Sequence, residues 1–372
     1  MKFSVIILNY NVKYFVDACL QSVEKAVAGK DAEIIVADNH STDGSKEYLQ
    51  ARYPDVKFLW FKRNYGFAKA YNKAVAEAQG DYLLILNPDT LVPENILDEF
   101  EKFAVQHPDF GIIGGKMIDG TGHFLPESKR GVPTPLVAFS KLTKLYKILN
   151  FKPFNNYYAG NLPENKAGKV SVLTGALMFI KKEVYEYIGG FDEQYFMYGE
   201  DIDLSYTLLK SGKQNYYLPT AKIIHFKGES SGKDAAYYKH FLDTTFQFYR
   251  KHFRSFLPQE FLMKQFFKFW LKLRRNKRTQ QRKIVYSAYY FIGGKENFEI
   301  LKNHFKSLKF TDKQQPLLRN SLLIFDTSAL PFSQIIDIME NHRGYYRFYF
   351  PASRLLIGSD YKDRLGEAKI IE

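Results

Sequence analysis

Cysteine is almost missing from this chain of 372 residues, which has only Cys19. A single thiol cannot form an internal disulfide, so the fold must depend on a hydrophobic core, and such cysteine usage is typical of a reducing compartment. No apolar run reaches the roughly 18 residues that a membrane-spanning helix needs. The apolar start of the chain is too short for a signal peptide and no small-residue cleavage site follows it, so we expect no leader. The phosphate-binding loop of nucleoside triphosphatases is also missing.

Charge is concentrated in one place. The formal net charge is +13, and residues 262–283 hold nine basic and no acidic side chains, so the rest of the chain is nearly balanced. This distribution argues against a broad nucleic-acid-binding face, and we predict no nucleic-acid partner. A hydrophobic content of 45% and a mean hydropathy of −0.33 indicate a globular protein, long enough for two or three units.

The first 230 residues alternate short apolar runs with helical stretches. The runs at residues 5–8, 33–36, 56–60 and 82–86 are of buried-strand type, and residues 12–28, 44–52 and 66–78 are helical in pattern. This alternation predicts an α/β fold with a mostly parallel sheet covered by helices. Ligands of such sheets bind beyond the carboxyl ends of the strands.

Polar side chains follow all four of these runs. They are Asn9-Tyr10-Asn11, then residues 38–45, then residues 63–68 with Asn72 a turn further on, and Asn87-Pro88-Asp89. Any one of these groups could simply cap a helix or make a turn. Four consecutive strand ends of this kind favour a binding site.

These motifs, together with Leu173-Thr174-Gly175-Ala176 and the acidic segment of residues 190–204, resemble the family 2 glycosyltransferases. The resemblance is to the branch that contains rhamnosyltransferases, and it covers residues 3–230. It implies a GT-A fold, a nucleotide-diphosphate sugar donor, a divalent metal ion and inversion at the anomeric carbon.

A divalent cation suits this chemistry because the departing nucleoside diphosphate gains negative charge. Mg²⁺ or Mn²⁺ prefers oxygen ligands, and Asp89 at the end of a buried strand is the natural one. The family more often places two or three acids here. The resemblance implies that His225 serves the same metal, although a lone histidine after an apolar run is more often structural.

The resemblance also assigns the donor pocket. Asp38 would bind the base, a uracil or thymine, and Thr174 and Gly175 would form a floor near the donor sugar. Asn72 has an equal alternative as a helix-surface amide. The residues predicted to bind the donor are Asn9, Asn11, Asp38, Asn64, Gly66, Asn72, Asn87, Thr174 and Gly175.

An inverting transfer needs a carboxylate that takes the proton of the acceptor hydroxyl. By resemblance Asp201 is this base, and Glu200 helps to bind or orient the acceptor. The alternative is that these acids only stabilise the start of a helix. Asp203 would project about 200° away from Asp201 on a helix, which favours a structural role.

We predict three units: a GT-A catalytic domain at residues 1–235, a helical basic segment at 236–283 and a small α/β domain at 284–372. The aromatic and basic faces of the middle segment predict a helix lying on an anionic membrane surface. Its alternative is a helix packed on the body. The last unit loosely resembles a Rossmann-like accessory domain but lacks a full dinucleotide motif. Because it carries no predicted catalytic residue, we expect truncation near Lys283 to leave a folded, donor-binding protein.

The sequence therefore predicts an inverting glycosyltransferase on the cytoplasmic side of a bacterial plasma membrane, attached peripherally. The donor would be a UDP- or dTDP-sugar, with dTDP-rhamnose among the candidates, and the acceptor a saccharide or a polyprenol-linked sugar of cell-surface polysaccharide synthesis. Two alternatives stay open, an inactive nucleotide-sugar-binding subunit and a nucleotidyltransferase. The donor sugar, the linkage and the oligomeric state are not determined by the sequence.

Overall fold

A computed structural model describes residues 1–134, 137, 158–227, 235–253, 260–261, 265, 284–311, 320–361 and 366–372. The first part of the chain forms a large sheet with helices on both faces. Its strands are β1 (Phe3–Asn9), β2 (Ala32–Asp38), β3 (Lys57–Trp60), β4 (Tyr82–Leu86), β5 (Thr90–Leu91), β6 (Phe110–Ile118), β7 (Gly168–Val170), β8 (Leu177–Lys181) and β9 (Gln214–His225). Its helices are α1 (Lys13–Val27), α2 (Ser45–Gln50), α3 (Phe67–Val75), α4 (Ile96–Gln106), α5 (Lys182–Tyr187), α6 (Glu200–Lys210) and α7 (Ala235–His252).

The strand order of this sheet is β3-β2-β1-β4-β8-β6-β9-β5, and β7 pairs with β9. Strands β1 to β4 are parallel to one another, β8 runs against both β4 and β6, and β9 is parallel to β6. The carboxyl ends of β1, β2, β4 and β9 and the amino end of β8 therefore meet at one edge. The mostly parallel α/β sheet predicted from the sequence is confirmed.

Strand β1 shows why the first apolar run is continuous, because all seven of its residues are buried. Val5 and Ile7 point to the core on the side of α1 and α4. Ile6 and Leu8 point to the core on the side of α3 and α6. A central strand with a hydrophobic core on each face needs apolar residues at every position.

A second sheet follows in the last ninety residues. It contains β10 (Tyr289–Ile292), β11 (Leu308–Phe310), β12 (Leu322–Asp326), β13 (Tyr345–Phe350), β14 (Leu355–Gly358) and β15 (Glu367–Ile370), with helices α8 (Lys295–Lys302) and α9 (Phe332–His342). Strands β11, β10, β12 and β13 are parallel in that order, and β14 and β15 add antiparallel at one edge. The small C-terminal α/β unit expected from the sequence is confirmed.

The turn at Gly293 and Gly294, before α8, is occupied by the side chain of Asp326. Asp326 is fully buried at the end of β12 and accepts hydrogen bonds from the Gly294 amide at 3.0 Å and from the Asn297 side chain at 2.8 Å. A Cβ on Gly293 would lie 2.1 Å from the Asp326 Cβ. In a dinucleotide fold the start of this helix would face a phosphate. Here a carboxylate fills that position, which agrees with the incomplete dinucleotide motif.

The two sheets share one hydrophobic core. The cluster that contains Val5 and Phe226 of the first unit continues into Phe325, Phe332 and Phe348 of the second. This shared core argues against the expectation that residues 284–372 can be removed without loss. Most of the basic segment, residues 262–283, lies outside the described residues, so its predicted helix is not described here. In the described part of the chain, no helix is long and apolar enough to cross a membrane.

Candidate active site

The pairing register brings the predicted site residues to the same edge of the first sheet. Asn9 lies opposite Asp38 at the ends of β1 and β2. The amide of Asn87 donates to the carbonyl of Ala176 at 3.1 Å, which joins the end of β4 to the start of β8. Short connections after each strand therefore place the polar motifs side by side.

Asn9 and Asp38 form a buried pair. The Asn9 side-chain amide donates to Asp38 Oδ2 at 2.7 Å, and the Ser41 amide donates to Asp38 Oδ1 at 2.7 Å. The carboxylate is thereby fixed in orientation, while the side-chain oxygen Oδ1 of Asn9 is buried with no hydrogen-bond partner among the described residues. Asn11 is exposed with φ of 57°, and its side chain accepts from the Thr42 amide at 2.7 Å. Asn9, Asn11 and Asp38 thus bring side-chain oxygens together, and acceptors of this kind are what recognition of a base uses.

Asn39 organises the turn after β3. Its side chain donates to Asn64 Oδ1 at 2.9 Å and to the Gly66 carbonyl at 3.1 Å, and it accepts from the Tyr65 amide at 2.8 Å. Asn64 in turn accepts from the Gly66 amide at 2.8 Å. The Asn64 side chain is therefore held by the protein at the edge where its predicted role in donor binding requires it.

Gly66 is required by a close approach within the protein. Its φ is 78°, and a Cβ there would lie 2.4 Å from the carbonyl oxygen of Phe196. The next amide, of Phe67, donates to that same oxygen at 2.7 Å. The turn after β3 is thus clamped to the segment that precedes the acidic motif. Gly66 is thus in close contact with Phe196, and its predicted role in donor binding stays a prediction.

Asn72 is occupied by protein partners. Its side chain donates to the Phe191 carbonyl at 2.8 Å and accepts from the Phe191 amide at 3.0 Å and from the Tyr185 hydroxyl at 2.6 Å. These bonds hold the turn at Gly190, where a Cβ would lie 2.6 Å from Asn72 Oδ1. The contacts favour neither a donor ligand nor a solvent-facing amide but a support for this loop, and the predicted donor-binding role stays a prediction.

Asp89 and His225 face each other in a buried pair. Thr90 pairs with His225 across β5 and β9, and the Phe226 amide donates to the Asp89 carbonyl at 3.0 Å. The His225 Nε2 to Asp89 Oδ1 distance is 3.3 Å, and both side chains are at most 8% exposed. Asp89 Oδ1 and His225 Nδ1 have no hydrogen-bond partner among the described residues.

This pair fits a hard divalent cation. A carboxylate oxygen and an imidazole that lack other partners are suitable ligands, and phosphate oxygens and water complete such sites. Within the described residues, no third His, Cys, Asp or Glu joins the pair to form a larger group. The structure thus brings together both residues predicted to bind the metal, and their role stays a prediction.

Asp201 is the second residue of α6, in the first turn of the helix, and accepts from three donors. Arg130 Nη2 is 2.5 Å from Asp201 Oδ2, the Gly175 amide donates to the same oxygen at 3.2 Å, and the Ile202 amide donates to Oδ1 at 2.8 Å. Arg130 also donates to the Leu173 carbonyl at 2.8 Å. The predicted base is thus tied directly to the Thr174-Gly175 turn, and it is ion-paired.

Glu200 has the opposite environment. It is 6% exposed, and its Oε2 has no hydrogen-bond partner among the described residues. Burial, reinforced by the negative charge of Asp201, raises the pKa of Glu200 to about 8. Glu200 is therefore mostly protonated at neutral pH and can donate a hydrogen bond, as its predicted role toward the acceptor requires.

Asp203 supports the acidic motif from the other side. It is 2% exposed and contacts Lys251 Nζ at 2.8 Å and His252 Nε2 at 2.7 Å, both on α7. Lys251 also contacts Asp192 at 2.7 Å. The structural role expected for Asp203 agrees with these contacts, which join α7 to α6 and to the loop before it.

Arg130 and Asn39 are the site residues that the sequence analysis did not single out. Arg130 is 71 positions from Asp201 in sequence, and nothing around Lys129-Arg130-Gly131 marks an ion pair at that separation. Asn39 was visible as part of the motif after β2. Its three bonds to the turn at residues 64–66 depend on the β2–β3 pairing, which a motif does not report.

Comparison with known proteins identifies the family of this chain. The family model described as glycosyl transferase family 2 matches residues 4–189, half of the chain. The chain therefore belongs to glycosyl transferase family 2, and its fold is the GT-A fold that the resemblance implied. It lies in the rhamnosyltransferase-like branch of that family, as two relatives show.

One relative is the N-acetylglucosaminyl-diphospho-decaprenol L-rhamnosyltransferase of Mycobacterium tuberculosis, 30% identical over 243 residues that cover 62% of this chain and 78% of that protein. Another is rhamnosyltransferase WbbL of Escherichia coli K12, 26% identical over 215 residues that cover 52% of this chain and 72% of WbbL. Among solved structures, the mannosyltransferase PcManGT from Pyrobaculum calidifontis in complex with GDP-Man and Mn²⁺ matches with a TM-score of 0.48 and 20% identity, over 68% of this chain and 64% of that chain. The chain spans less than two thirds of that structure.

Proposed function

We propose that this glycosyltransferase moves a sugar, with inversion, from a UDP- or dTDP-sugar to a lipid-linked saccharide of cell-surface polysaccharide synthesis. The observation that carries the proposal is the meeting of three groups at one sheet edge. These are the Asn9–Asp38 pair, the buried Asp89–His225 pair and the acidic start of α6. A base pocket, a cation site and a carboxylate are what such a transfer needs.

Asp89 and His225 are the residues that would hold Mg²⁺ or Mn²⁺. The cation would stabilise the negative charge that the leaving nucleoside diphosphate gains. In binding of the nucleotide-sugar donor, Asn9 and Ser41 orient Asp38, and Asp38 accepts a hydrogen bond from the base. The Gly175 amide donates to Asp201 at the start of α6, and Thr174 and Gly175 would form the floor beneath the donor sugar.

Asp201 would take the proton of the acceptor hydroxyl, and Glu200 would donate a hydrogen bond to the acceptor. Arg130 holds Asp201 Oδ2 at 2.5 Å, and the carboxylate keeps a further lone pair with which to accept the proton of the acceptor hydroxyl. The Gly175 amide stays on the same carboxylate and keeps it aimed. Arg130 thereby belongs with the residues that position the base.

The lipid-linked acceptor rests on the relatives. The mycobacterial relative is by name a rhamnosyltransferase that acts on an N-acetylglucosaminyl-diphospho-decaprenol, and the match covers 78% of it. A polyprenol-linked acceptor in turn favours a site of action at the cytoplasmic face of the membrane. The nine positive charges of residues 262–283 would attach the protein there peripherally, and sedimentation with anionic vesicles at low and high salt tests this attachment.

The first prediction concerns the metal ligands. Asp89→Ala should abolish Mn²⁺-dependent binding of the donor, because it removes the only acid in its motif. His225→Ala should weaken Mn²⁺ affinity less, by roughly 10- to 100-fold. Calorimetry with UDP-, dTDP- and GDP-sugars, with Mn²⁺ or with EDTA, measures both effects and identifies the base of the donor.

Asp98→Ala is the matched control, since Asp98 is 63% exposed on α4 and its ion-pair partner is Lys30, away from the metal site. It should bind donor and metal like the wild type. Wild-type donor affinity in Asp89→Ala with Mn²⁺ present would exclude Asp89 from the site. Donor binding without any sugar transfer or donor hydrolysis would instead indicate a binding subunit.

A further inference from the structure

The two proposed metal ligands lie on chain segments that contact the C-terminal unit. Asp89 precedes β5 and His225 ends β9, and the two segments are joined by the pairs Thr90–His225 and Leu91–Ile224 and by the bond from the Phe226 amide to the Asp89 carbonyl. A two-residue strand has little pairing of its own. The separation of the two ligands therefore depends on whatever fixes β5 and the end of β9.

Glu94, five residues after Asp89, caps a helix of the C-terminal unit. Its two carboxylate oxygens accept from the amides of Phe332 at 2.7 Å and Ser333 at 3.2 Å, at the start of α9. The residue before this helix is Pro331, which provides no side-chain cap. A carboxylate on the free amides of a helix start is a charge-assisted contact that also complements the helix dipole. The segment that carries Asp89 is thus fastened to α9.

Lys222, three residues before His225, is fastened to the same helix. It contacts Glu340 at 2.6 Å and Asp337 at 2.9 Å. Lys116 lies opposite Lys222 across the β6–β9 pairing and contacts the same Glu340 at 2.7 Å. Two lysines side by side on paired strands repel each other, so Glu340 neutralises a contact that would otherwise push β6 and β9 apart.

Phe226, the residue after His225, is wedged between the two units. Its ring lies 5.5 Å from that of Phe348 on β13 and 5.4 Å from that of Phe15 on α1. The turn after β6 also meets the C-terminal unit, since a Cβ on Gly120 would lie 2.6 Å from the Ser359 carbonyl. Contacts before and after His225 therefore leave its strand end little freedom to move.

We propose that the C-terminal unit positions the metal site: through Glu94, Lys222 and Phe226 it fixes the separation of Asp89 and His225 and so sets the affinity for the divalent cation. This inference rests on the proposed function, because it assumes that these two residues hold the metal. It gives the C-terminal sheet a role in the reaction, although none of that unit's described residues lies at the catalytic edge described above.

The test measures metal affinity in the full chain with Glu94→Ala. Free Mn²⁺ is followed by its electron paramagnetic resonance signal as Mn²⁺ is added, with and without UDP. Glu94→Ala should weaken Mn²⁺ affinity about tenfold, as loss of a supporting contact does, while UDP affinity in EDTA stays unchanged. Glu94→Gln keeps one acceptor oxygen and should lie between Glu94→Ala and the wild type.

Gln21→Ala is the matched control at the same interface. Gln21 on α1 donates to Ser353 of the C-terminal unit at 3.0 Å but belongs to neither ligand-bearing segment. It should leave Mn²⁺ affinity unchanged even where it lowers the melting temperature. Phe348→Leu provides a second lesion if Glu94→Ala does not fold, and it should weaken Mn²⁺ affinity in the same direction.

Wild-type Mn²⁺ affinity in both Glu94→Ala and Phe348→Leu would overturn this inference and leave the proposed function standing. An equal loss in Gln21→Ala would also overturn it, since the effect would then be general to the interface. A wild-type protein that binds no Mn²⁺ at all would overturn the proposed metal site and this inference with it.

Discussion

Glu200 and Asp201, neighbouring acids at the start of α6, differ in ion pairing and in burial. Asp201 is ion-paired to Arg130 at 2.5 Å and accepts two backbone amides. Glu200 is buried beside it, and burial raises its pKa to about 8. One carboxylate is ion-paired and held in place, and the other carries a proton at neutral pH because burial raises its pKa. Such a division of environments is how two carboxyl groups of one site take different roles.

Exchange of Asp201 for Asn should lower turnover by about 10²- to 10⁴-fold, because an amide keeps the shape and cannot accept the proton. Donor affinity should persist, since the donor-facing residues are untouched. Glu200→Gln mimics the protonated carboxyl and should retain more activity at pH 7. Steady-state rates of the two variants, with donor affinity measured in parallel, check both statements. If Glu200→Gln is the slower enzyme, the roles of the two acids are reversed.

The raised pKa of Glu200 predicts how stability depends on pH. The unfolded carboxyl titrates near 4.5 and the folded one near 8. Between these values the folded protein binds more protons than the unfolded chain, so the contribution of Glu200 to the free energy of unfolding falls as pH rises through this window. Glu200→Gln removes that contribution. Relative to the wild type, the variant should become progressively more stable from pH 5 to 8 and level off above.

Urea unfolding of both proteins across this pH range measures the difference. Glu183→Gln is the control, since Glu183 is 77% exposed and should show no such trend. A constant difference between Glu200→Gln and the wild type from pH 5 to 9 would mean that Glu200 is ionised throughout.

At the scale of elements, the sequence predicted the strands and helices of the first sheet because their signals are local. The predicted strand at residues 82–86 is β4, and the predicted helix at 12–28 is α1 to within one residue at each end. The contacts that shape the site are not local. Gly66 meets Phe196, and Arg130 meets Asp201, only because β8 inserts between β4 and β6 and returns these loops to one edge. Periodicity and motifs carry no record of that insertion.

The contact between Gly66 and Phe196 can be tested by substitution of the glycine. Gly66→Ala faces both a φ of 78° and an oxygen of Phe196 at 2.4 Å. It should destabilise the protein by about 1 to 3 kcal/mol and reduce turnover by displacing the segment before Glu200. Gly29→Ala separates the two causes, because Gly29 has a φ of 73° with no atom within 4 Å.

Denaturant unfolding and steady-state rates of both variants provide the comparison. Gly29→Ala should show only the smaller backbone cost and a normal rate. Equal losses of stability in the two variants would mean that the contact with Phe196 contributes nothing.

At the scale of the whole molecule, the boundary expected near residue 283 does not separate two independent bodies. One hydrophobic cluster runs from β1 and α1 into β12, β13 and α9, and Lys116, only 5% exposed, has Glu340 of α9 as its nearest counter-charge. Composition and motif content could not show this, because the residues that join the units are apolar or singly charged on both sides. The shared core appears only once both sheets are folded.

Truncation to residues 1–283 should therefore give insoluble or unfolded protein, contrary to what the motif content alone suggested. It would expose the Phe226 ring and leave Lys116 without Glu340, and each large apolar side chain returned to water costs about 1.5 to 3 kcal/mol. Coexpression of residues 284–372 as a separate chain should restore solubility, because the interface is hydrophobic and charge-matched. Solubility, circular dichroism and donor binding of the truncated and coexpressed forms measure this. A soluble 1–283 protein with wild-type donor and Mn²⁺ affinity would show that the catalytic sheet completes its core without the second unit.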